Sequence, residues 1–573
     1  MSKEYIKVYE SWTNSSKIDE STKAELLAIK DDEKEIEDRF YKNLEFGTAG
    51  LRGVLGAGTN RMNIYIVRKS TQGLADYISD MGEDAKKRGV AICYDCRNFS
   101  PEFAMESAKV LAANGIKSYV SDELRPTPML SYMVRKLSSF AGIMITASHN
   151  PAQYNGYKVY GEDGAQLSVS ASNIVLNYIN NMDIFDDVKI MDEEEGKAKG
   201  LINILKEDDF RTYYANVYGG IINKEEIEKA KELKIVFTPF HGTGFKPVCK
   251  VLSGAGFGNV FTVAEQCIPD GNFPTVKSPN PEELEGFNMA IEQAKKVDSD
   301  IIVGTDPDAD RVGVLAKTAD GSFKPFTGNQ VGIMLLKYIL DNTKEIKSDD
   351  YVVSTIVSTA LAKIISEKHG VKFYEVFTGF KFIAGIIKMH EDENLAGRYL
   401  FGFEESYGYL NGSYARDKDA VSATLMICEL AAYCKNRNIT MHDYLENIYK
   451  EYGYFTEKTV SVVMPGIDGM EKMAELMKKT AANPPKAFGD IKVSAFRDYN
   501  KSIRIDYKTG EEQKIDMEKS NVLYFELDDG FFVLRPSGTE PKIKLYFSVK
   551  ADSRENGQKK IDNLYENIEK IIF

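Results

Sequence analysis

The 573-residue chain lacks the features that mark several broad classes of protein. It has no apolar run approaching the roughly 18 residues of a membrane-spanning helix. Its first residues, MSKEYIKVYESW, lack the basic-then-apolar pattern of a signal peptide. Its six cysteines are scattered through a long chain, which does not indicate a disulfide framework. These absences predict a cytoplasmic protein.

Basic residues are too few for a general affinity for polyanions. The chain carries 73 lysines and arginines against 86 aspartates and glutamates, a formal net charge of −13. Nucleic acids and anionic membranes would therefore be repelled at long range, and we expect neither as a partner. A local cluster of cations would still suit a small anionic substrate. The oligomeric state is not predicted, because no apolar stripe stands out.

Common nucleotide and metal motifs are also missing. No GxxxxGK[ST] P-loop occurs in the sequence. The glycines of SGAGFGNV (253–260) follow a helix-like segment and precede a strand-like one, the reverse of a dinucleotide fingerprint. Cys93 and Cys96 form one CxxC without a second Cys or His pair nearby, which favours a buried strand end over a redox or metal site.

One supersecondary pattern is present three times. From Val90, Lys234 and Tyr351, a β-branched run is followed by a polar or glycine-rich loop, an amphipathic helix and a second apolar run. Such units need a crossover connection, so the sheets should be largely parallel. From about Tyr454, alternating runs and an LDDGF turn indicate antiparallel strands, followed by a terminal helix.

The predicted fold class is therefore α/β, with three related α/β/α domains of mixed, largely parallel sheets and a C-terminal α+β domain. We place the domain boundaries at 1–210, 211–325, 326–453 and 454–573. In open α/β sheets the loops at the carboxyl ends of the strands carry the function, and four loops contain side chains suited to chemistry.

The first loop is TASHNP, residues 146–151, which interrupts an apolar run. Asn150 and Pro151 favour a turn at this point. Ser148 and His149 are sequence neighbours, which is an awkward arrangement for a Ser–His–Asp triad. A serine beside a metal ion and cations could instead carry a phosphoryl group. On this loop alone, a plain polar turn is an equally good interpretation.

The second loop lies within VGTDPDADRVGV, residues 303–314, between two apolar runs. Asp306, Asp308 and Asp310 would repel one another strongly unless a cation sits among them. Oxygen-only ligation suits a hard ion, so Mg²⁺ is the expected occupant. The alternative is a solvated acidic turn, which the apolar flanks and the adjacent Arg311 disfavour.

The third and fourth loops combine groups that recognise sugar hydroxyls and phosphate. GFEESYG (402–408) carries Glu404 and Ser406, which can accept from and donate to vicinal hydroxyls, although a surface glutamate pair is commonplace. LRPSGTEP (534–541) joins a guanidinium fork, two hydroxyls and an accessible backbone N–H, a set suited to a phosphate monoester. A charged hairpin turn is the alternative for the fourth loop.

Together and in this order, the loops resemble those of the α-D-phosphohexomutase superfamily, and the resemblance covers essentially the whole chain. They resemble the family's phosphoserine, metal, sugar-binding and phosphate-binding loops, respectively. The metal loop of the family more often reads DGDADR; here Pro307 replaces the glycine and leaves all three carboxylates in place. Glu404 and Ser406, with FGTAGLRG, TGFKFI and ARDKDAV, resemble the long phosphoglucomutase branch, which also contains phosphopentomutases.

The resemblance implies an isomerase that interconverts glucose 1-phosphate and glucose 6-phosphate through a phosphoserine and a glucose 1,6-bisphosphate intermediate, in a cleft between the four domains. It implies Mg²⁺ as a cofactor and small sugar phosphates as partners. Ser148 would carry the phosphoryl group and join the three aspartates at the metal, and Lys158 would act as general acid/base, supported by His149 and Arg52. The substrate-binding residues it implies are Arg311, Thr378, Gly379, Glu404, Ser406, Arg535, Ser537, Gly538 and Thr539.

Other functions stay open on the sequence alone. A phosphopentomutase or phosphomannomutase would share the same loops. A metal-dependent sugar phosphatase would also use aspartate-rich and arginine-rich loops. A non-catalytic sugar-phosphate binder is a third possibility, which the presence of Ser148 together with all three aspartates disfavours.

Overall fold

The computed structural model describes residues 4–47, 50–464, 469–537 and 542–572. The α-helices, numbered in chain order, are α1 (Glu4–Asn14), α2 (Glu20–Ala28), α3 (Glu33–Phe40), α4 (Ile64–Asp80), α5 (Glu83–Arg88), α6 (Ser100–Ala113), α7 (Thr127–Lys136), α8 (Val169–Asn180), α9 (Glu193–Ala198), α10 (Arg211–Gly219), α11 (Lys224–Lys229), α12 (Phe245–Ala255), α13 (Asn288–Val297), α14 (Gly328–Asn342), α15 (Leu361–Lys368), α16 (Phe380–Asp392), α17 (Ala420–Asn436), α18 (Met441–Tyr452), α19 (Gly469–Ala482) and α20 (Arg554–Ile572).

The strands are β1 (Gly50–Val54), β2 (Val90–Tyr94), β3 (Ser118–Ser121), β4 (Ala141–Ile145), β5 (Tyr154–Gly161), β6 (Ile202–Leu205), β7 (Lys234–Thr238), β8 (Asn259–Thr262), β9 (Ile301–Thr305), β10 (Val312–Lys317), β11 (Phe323–Pro325), β12 (Tyr351–Thr355), β13 (Lys372–Val376), β14 (Tyr399–Glu404), β15 (Gly408–Leu410), β16 (Tyr454–Val463), β17 (Ala487–Phe488), β18 (Ile491–Asp498), β19 (Ile503–Asp506), β20 (Glu512–Lys514), β21 (Leu523–Leu527), β22 (Gly530–Pro536) and β23 (Lys542–Ala551). None of the helices in the described ranges is long and apolar enough to cross a bilayer.

The chain forms two compact units, which are described separately. The first comprises Met1–Val331, Asn342–Lys344 and Gly379–Met441. The second comprises Gly332–Asp341, Glu345–Thr378 and His442–Phe573.

The first unit contains a sheet of order β1-β5-β4-β2-β3-β6. Strands β4, β2, β3 and β6 run parallel, whereas β5 pairs antiparallel with both β4 and β1. Every residue of β4 is buried, as expected for a central strand covered by helices on both faces. Ile92, Ile143 and Phe103 belong to the core between this sheet and its helices.

A second sheet of the first unit has the order β11-β10-β9-β7-β8. Strands β8, β7 and β9 are parallel, and β10 pairs antiparallel with β9. The two sheets have one feature in common. In each sheet a fully buried strand, β4 in the first and β9 in the second, is connected by a loop to an antiparallel neighbour. The loops TASHNP and DPDADR are these two links.

The three repeated units predicted from the sequence are confirmed. β2-α6-β3 and β7-α12-β8 lie in the first unit, β12-α15-β13 lies in the second, and each pair of strands is parallel. In the first unit, β14 and β15 form an antiparallel pair joined by the turn at 405–407. The helix α17 that follows is buried along almost its whole length.

The predicted antiparallel C-terminal sheet is also present. In the second unit the strands have the order β16-β23-β22-β21-β18-β19-β20, with β17 pairing with β18. All these pairings are antiparallel. One face is closed by α19 and α20, which pack on a core rich in phenylalanine that includes Phe488, Phe525, Phe532 and Phe547. The fold is thus a multidomain α/β architecture with an α+β C-terminal part.

Glu457 of β16 makes the stability of the second unit depend on pH. Its Oε1 is buried without a hydrogen-bond partner in the part of the chain that the structure describes. Burial raises the pKa of Glu457 to about 7, against a smaller opposing effect from a hydrogen bond with Thr359. Between the carboxyl's ordinary pKa and about 7, only the unfolded chain releases this proton, so stability is lost as pH rises through this window.

We expect Glu457→Gln to remove this contribution. The melting temperature of the variant relative to the parent should therefore rise between about pH 4.5 and pH 7 and level off above it. Calorimetry across this range tests the expectation, with the exposed Glu471→Gln as control. A constant difference between variant and parent would contradict it.

Candidate active site

Ser148 lies in a strained turn that directs its hydroxyl at a carboxylate. It is buried and adopts a left-handed backbone conformation, with φ of 51°. Its N–H donates to Thr146 Oγ1 at 2.8 Å, and its Oγ donates to Asp306 Oδ2 at 2.7 Å. A left-handed non-glycine residue costs about 1 kcal/mol or more and is concentrated at functional sites. The turn therefore serves to present the hydroxyl.

The three aspartates of the second loop converge as the sequence predicted. Asp306, Asp308 and Asp310 are buried, and one oxygen from each lies within 4.8 Å of the others. Burial, together with the charges of Asp308 and Asp310, raises the pKa of Asp306 well above its usual value. The Oδ1 atoms of Asp308 and Asp310 are buried without a hydrogen-bond partner among the described residues. This donor set fits a hard divalent cation such as Mg²⁺.

Two neighbouring segments hold the metal loop in place. Thr127, at the start of α7, donates its N–H to the Asp308 carbonyl at 2.9 Å and its hydroxyl to Asp308 Oδ2 at 2.8 Å. Thr243 donates its N–H to the Pro307 carbonyl at 2.8 Å. A Cβ at Gly242 would lie 2.4 Å from Pro307 Cα, so only glycine fits behind the loop.

Two lysines balance the buried negative charge. Lys158, on β5, lies with its Nζ 2.9 Å from Asp308 Oδ2 and 3.8 Å from Asp310 Oδ2. Lys418 Nζ lies 3.2 Å from Asp310 Oδ2 and 2.9 Å from Asp417 Oδ1. Burial alone would lower the pKa of both lysines, but the nearby carboxylates raise it above the usual value. Both are therefore ammonium ions in this arrangement.

Lys418 is a residue that the sequence reasoning did not single out. It lies in ARDKDAV, where a lysine stands between two aspartates directly before the buried helix α17. Asp417 accepts from the Tyr160 hydroxyl at 2.7 Å, and Asp419 caps α17 by accepting from the N–H groups of Val421 and Ser422. A charged triplet at the start of an apolar helix was the signal that could have identified it.

Positively charged side chains also lie around the TASHNP loop. Arg52, on β1, donates to Asn150 Oδ1 at 2.9 Å. Arg311 pairs with Glu282 at 2.9 Å. His149 Nδ1 lies 3.2 Å from Ser148 Oγ. Burial, followed by the positive charges of Arg311 and Arg52, lowers the pKa of His149 to about 2, so its imidazole is neutral at physiological pH.

The sugar loop places one of its two predicted residues in a buried position. Glu404, at the end of β14, is buried and accepts from the Gly379 N–H at 2.6 Å. Burial raises the pKa of Glu404, while the charge of Lys418 opposes this effect. Ser406 lies half-buried in the turn between β14 and β15. Thr378 is half-buried in the second unit.

The predicted phosphate-binding residues that can be described belong to the second unit. Arg535, on β22, lies opposite Lys544 and donates to the Tyr546 hydroxyl at 3.2 Å. Ser537 follows the strand and donates its N–H to the Lys542 carbonyl at 2.8 Å. Gly538 and Thr539 lie outside the described residues.

Comparison with known proteins agrees with this architecture. Sequence models for phosphoglucomutase/phosphomannomutase α/β/α domains I, II and III match residues 43–184, 211–321 and 327–452, and the C-terminal domain matches 472–560. A phosphoglucomutase from Staphylococcus haemolyticus is 39% identical over 530 residues, covering 92% of this chain and 94% of that protein. One from Staphylococcus aureus strain N315 is 39% identical over 532 residues, covering 92% and 94%.

A solved structure shows the same fold. Parafusin, a phosphoglucomutase from Paramecium in its open form, superposes with a TM-score of 0.68 at 18% identity, covering 92% of this chain and 96% of that one. The class is therefore the α-D-phosphohexomutase superfamily, as the sequence motifs predicted. Within that superfamily, the chain belongs to the phosphoglucomutase/phosphomannomutase family.

The carboxylate cluster predicts the effect of removing one ligand. Asp308→Asn should weaken Mg²⁺ binding by about 100-fold, because loss of a hydrogen-bond partner of a metal ligand alone costs about 10–100-fold and this change removes a charge from a ligand itself. Isothermal titration calorimetry measures the affinity. Asp320→Asn, in an exposed turn, is the matched control and should leave it unchanged. Equal affinities for the Asp308 variant and its parent would exclude a metal site at this cluster.

The contact behind the metal loop gives a second expectation. Gly242→Ala forces its methyl into the Pro307 backbone, so either the metal loop or the PFHGTG loop (239–244) must shift. We expect a loss of stability of about 1–3 kcal/mol together with weaker Mg²⁺ binding. Gly258→Ala is the control, since an added Cβ there meets nothing within 4 Å in the described ranges. Chemical denaturation measures the stability of the two variants, and calorimetry measures their Mg²⁺ affinity. Equal stability and equal affinity would show that the contact between Gly242 and Pro307 does not hold the metal loop in place.

Proposed function

We propose that this protein is a phosphoglucomutase that interconverts glucose 1-phosphate and glucose 6-phosphate. The observation that carries the proposal is the 2.7 Å contact between Ser148 Oγ and Asp306, in a cluster of three buried carboxylates. A serine placed against such a cluster suits reversible phosphoryl transfer rather than acyl transfer. The name phosphoglucomutase of relatives that are 39% identical over most of the chain supports the choice of sugar.

In the proposed reaction, Ser148 carries a phosphoryl group on Oγ. The substrate's free hydroxyl attacks this phosphorus, the bond from phosphorus to Ser148 Oγ breaks, and a sugar bisphosphate forms. After the bisphosphate reorients, Ser148 Oγ attacks its other phosphate, so that the phosphoserine is regenerated and the isomeric monophosphate is released. A Mg²⁺ ion held by Asp306, Asp308 and Asp310 would neutralise charge on the transferring group.

Proton transfer falls to groups beside the nucleophile. We assign Lys158 as the general acid/base, since its Nζ lies within 4 Å of Asp308 and Asp310, in the carboxylate cluster that the Ser148 hydroxyl contacts through Asp306. As an ammonium ion it would donate a proton to Ser148 Oγ when the bond to phosphorus breaks, and the amine left behind would take the proton of the attacking hydroxyl. Lys418 supplies a second ammonium at the same oxygen of Asp310, Oδ2. The neutral His149 and the exposed Arg52 are supporting groups.

Substrate recognition is shared among the remaining loops in this proposal. Glu404 and Ser406 accept and donate hydrogen bonds to the sugar hydroxyls. Arg311 and the Gly379 segment with Thr378 contribute to substrate binding. The non-reacting phosphate is bound by Arg535, Ser537, Gly538 and Thr539. We further propose the four domain boundaries given above, glucose 1,6-bisphosphate as intermediate and activator, and a cytoplasmic location.

The test is the conversion of glucose 1-phosphate to glucose 6-phosphate with Mg²⁺ and a trace of glucose 1,6-bisphosphate. Ser148→Ala should abolish turnover, because the phosphoryl carrier is removed. Ser138→Ala is the matched control: Ser138 is also left-handed, with φ of 50°, but precedes β4 whereas Ser148 follows it. Mass spectrometry of the purified enzyme should locate a phosphate on residue 148.

Other outcomes separate the competing functions. Free phosphate in place of glucose 6-phosphate would indicate a phosphatase, and binding without turnover would indicate a sugar-phosphate binder. Parallel assays with ribose 1-phosphate and mannose 1-phosphate distinguish a phosphopentomutase or a phosphomannomutase. A phosphate found on a residue other than Ser148 would overturn the assignment of the nucleophile.

A further inference from the structure

Arg97 is a fully buried arginine whose contacts converge on residues 146–154, named the nucleophile loop because Ser148 is the proposed nucleophile. It lies in YDCRN, directly after β2, and its side chain has 0% exposure. Four of the five N–H donors of its guanidinium reach main-chain carbonyls of a single segment, residues 148–154. The acceptors are the carbonyls of Ser148, Asn150, Pro151 and Tyr154, the last two at 2.9 Å.

Asp95 completes the arrangement from the same loop. Its Oδ2 lies 3.3 Å from Arg97 Nε and accepts from Thr146 Oγ1 at 2.6 Å. Thr146 Oγ1 in turn accepts the N–H of Ser148 at 2.8 Å. Asp95 Oδ1 accepts from Ser100 Oγ at 2.8 Å and from the Arg97 N–H at 2.9 Å. The Asp95 carboxylate is thus fixed by Ser100 and by the Arg97 N–H, and it in turn fixes Thr146 of the nucleophile loop.

These contacts fix both backbone groups of Ser148. Its carbonyl accepts from Arg97, and its N–H is bound through Thr146 to Asp95. Its φ of 51° is unfavourable for a serine, so the conformation persists only where its surroundings impose it. Rotation of this backbone would carry the Oγ away from Asp306 Oδ2.

The guanidinium is also braced by an aromatic ring. The Phe273 ring lies 5.0 Å from the guanidinium carbon of Arg97. Phe273 belongs to the segment between β8 and α13, and it packs in the same core as Phe287 and Ile302, beneath the sheet that bears the metal loop. Arg97 therefore contacts both the nucleophile loop and the part of the unit that carries the three aspartates.

We infer that Arg97 is a positioning residue that holds Ser148 in the conformation needed for phosphoryl transfer. The inference rests on the proposed function and adds to it a role for a side chain that touches no substrate. The planar guanidinium has donors on both terminal nitrogens and can bind four carbonyls of one turn. The three donors of an ammonium group share a single nitrogen and cannot reach the same four acceptors. Lysine should therefore be a poor replacement although it keeps the charge.

The experiment compares Arg97→Lys and Arg97→Ala with the parent protein. Misplacing a reacting group by about 1 Å costs on the order of 100-fold, so kcat should fall by about that factor in both variants. The KM for glucose 1-phosphate should stay unchanged, because the residues proposed to bind the sugar and its non-reacting phosphate are intact. Phosphorylation of Ser148 by glucose 1,6-bisphosphate, followed by mass spectrometry, should slow in parallel. Guanidinium ion, well below denaturing concentration, should restore part of the rate of Arg97→Ala.

Arg88→Ala is the matched control. Arg88 also donates to main-chain carbonyls, to that of Ser138 at 2.8 Å and to that of Ser139, but these residues precede β4 whereas the nucleophile loop follows it. This variant should lose stability without losing kcat. If Arg97→Ala does not fold, Arg97→Lys provides the test: a lower kcat with an unchanged KM supports the inference.

Two results would overturn the inference. One is a normal kcat in folded Arg97→Lys. The other is a loss of rate that only follows the folded fraction, without guanidinium rescue, which would make Arg97 a purely structural residue. An inactive parent protein would instead contradict the proposed function, so the two failures are distinguishable.

Discussion

The mutual repulsion of three buried carboxylates is the constraint around which the first unit is organised. Asp306, Asp308 and Asp310 place their oxygens within 4.8 Å of one another, away from bulk water. Charges of one sign are costly in such a place unless opposite charge compensates them. Lys158 and Lys418 supply part of that compensation, and the buried oxygens without hydrogen-bond partners in the described ranges are suited to a divalent cation. The Ser148 hydroxyl is neutral and donates a hydrogen bond to Asp306. In the proposed reaction, a phosphoryl group on Oγ would replace the proton of this hydroxyl.

The fold meets this constraint by using the same connection twice. In each of two sheets, a central strand with every residue buried turns back into an antiparallel neighbour, and the turn bears the reactive groups. Buried strands hold the turns rigidly, and supporting side chains fix their details. Thr127 and Thr243 bind the backbone of the metal loop, while Arg97 and Thr146 bind that of the nucleophile loop. The backbones of both loops are thus fixed by hydrogen bonds from side chains and N–H groups outside the carboxylate cluster.

The sequence was sufficient for the features that are local in the chain. Alternation, β-branched runs and loop composition predicted the repeated strand–helix–strand units and the antiparallel C-terminal sheet, because each rests on residues a few positions apart. The DPDADR carboxylates were predictable for the same reason. Lys418 and Thr127 were not, since they meet the aspartates only through long-range packing. Arg97 looked like one residue of a polar loop, because nothing local shows which carbonyls its guanidinium will reach.

The long sequence separations within the site have a consequence for the timing of synthesis. Tyr160, which is fully buried, has its hydroxyl partner in Asp417, 257 residues further along the chain. At translation rates of about 5–20 residues per second, that partner leaves the ribosome roughly 10–50 s later. A nascent chain that forms the β1–β6 sheet in this interval does so without the hydroxyl partner of Tyr160. The cluster of Ser148, the three aspartates and the two lysines is therefore complete only after residue 418 has been synthesised, when most of the chain has been made.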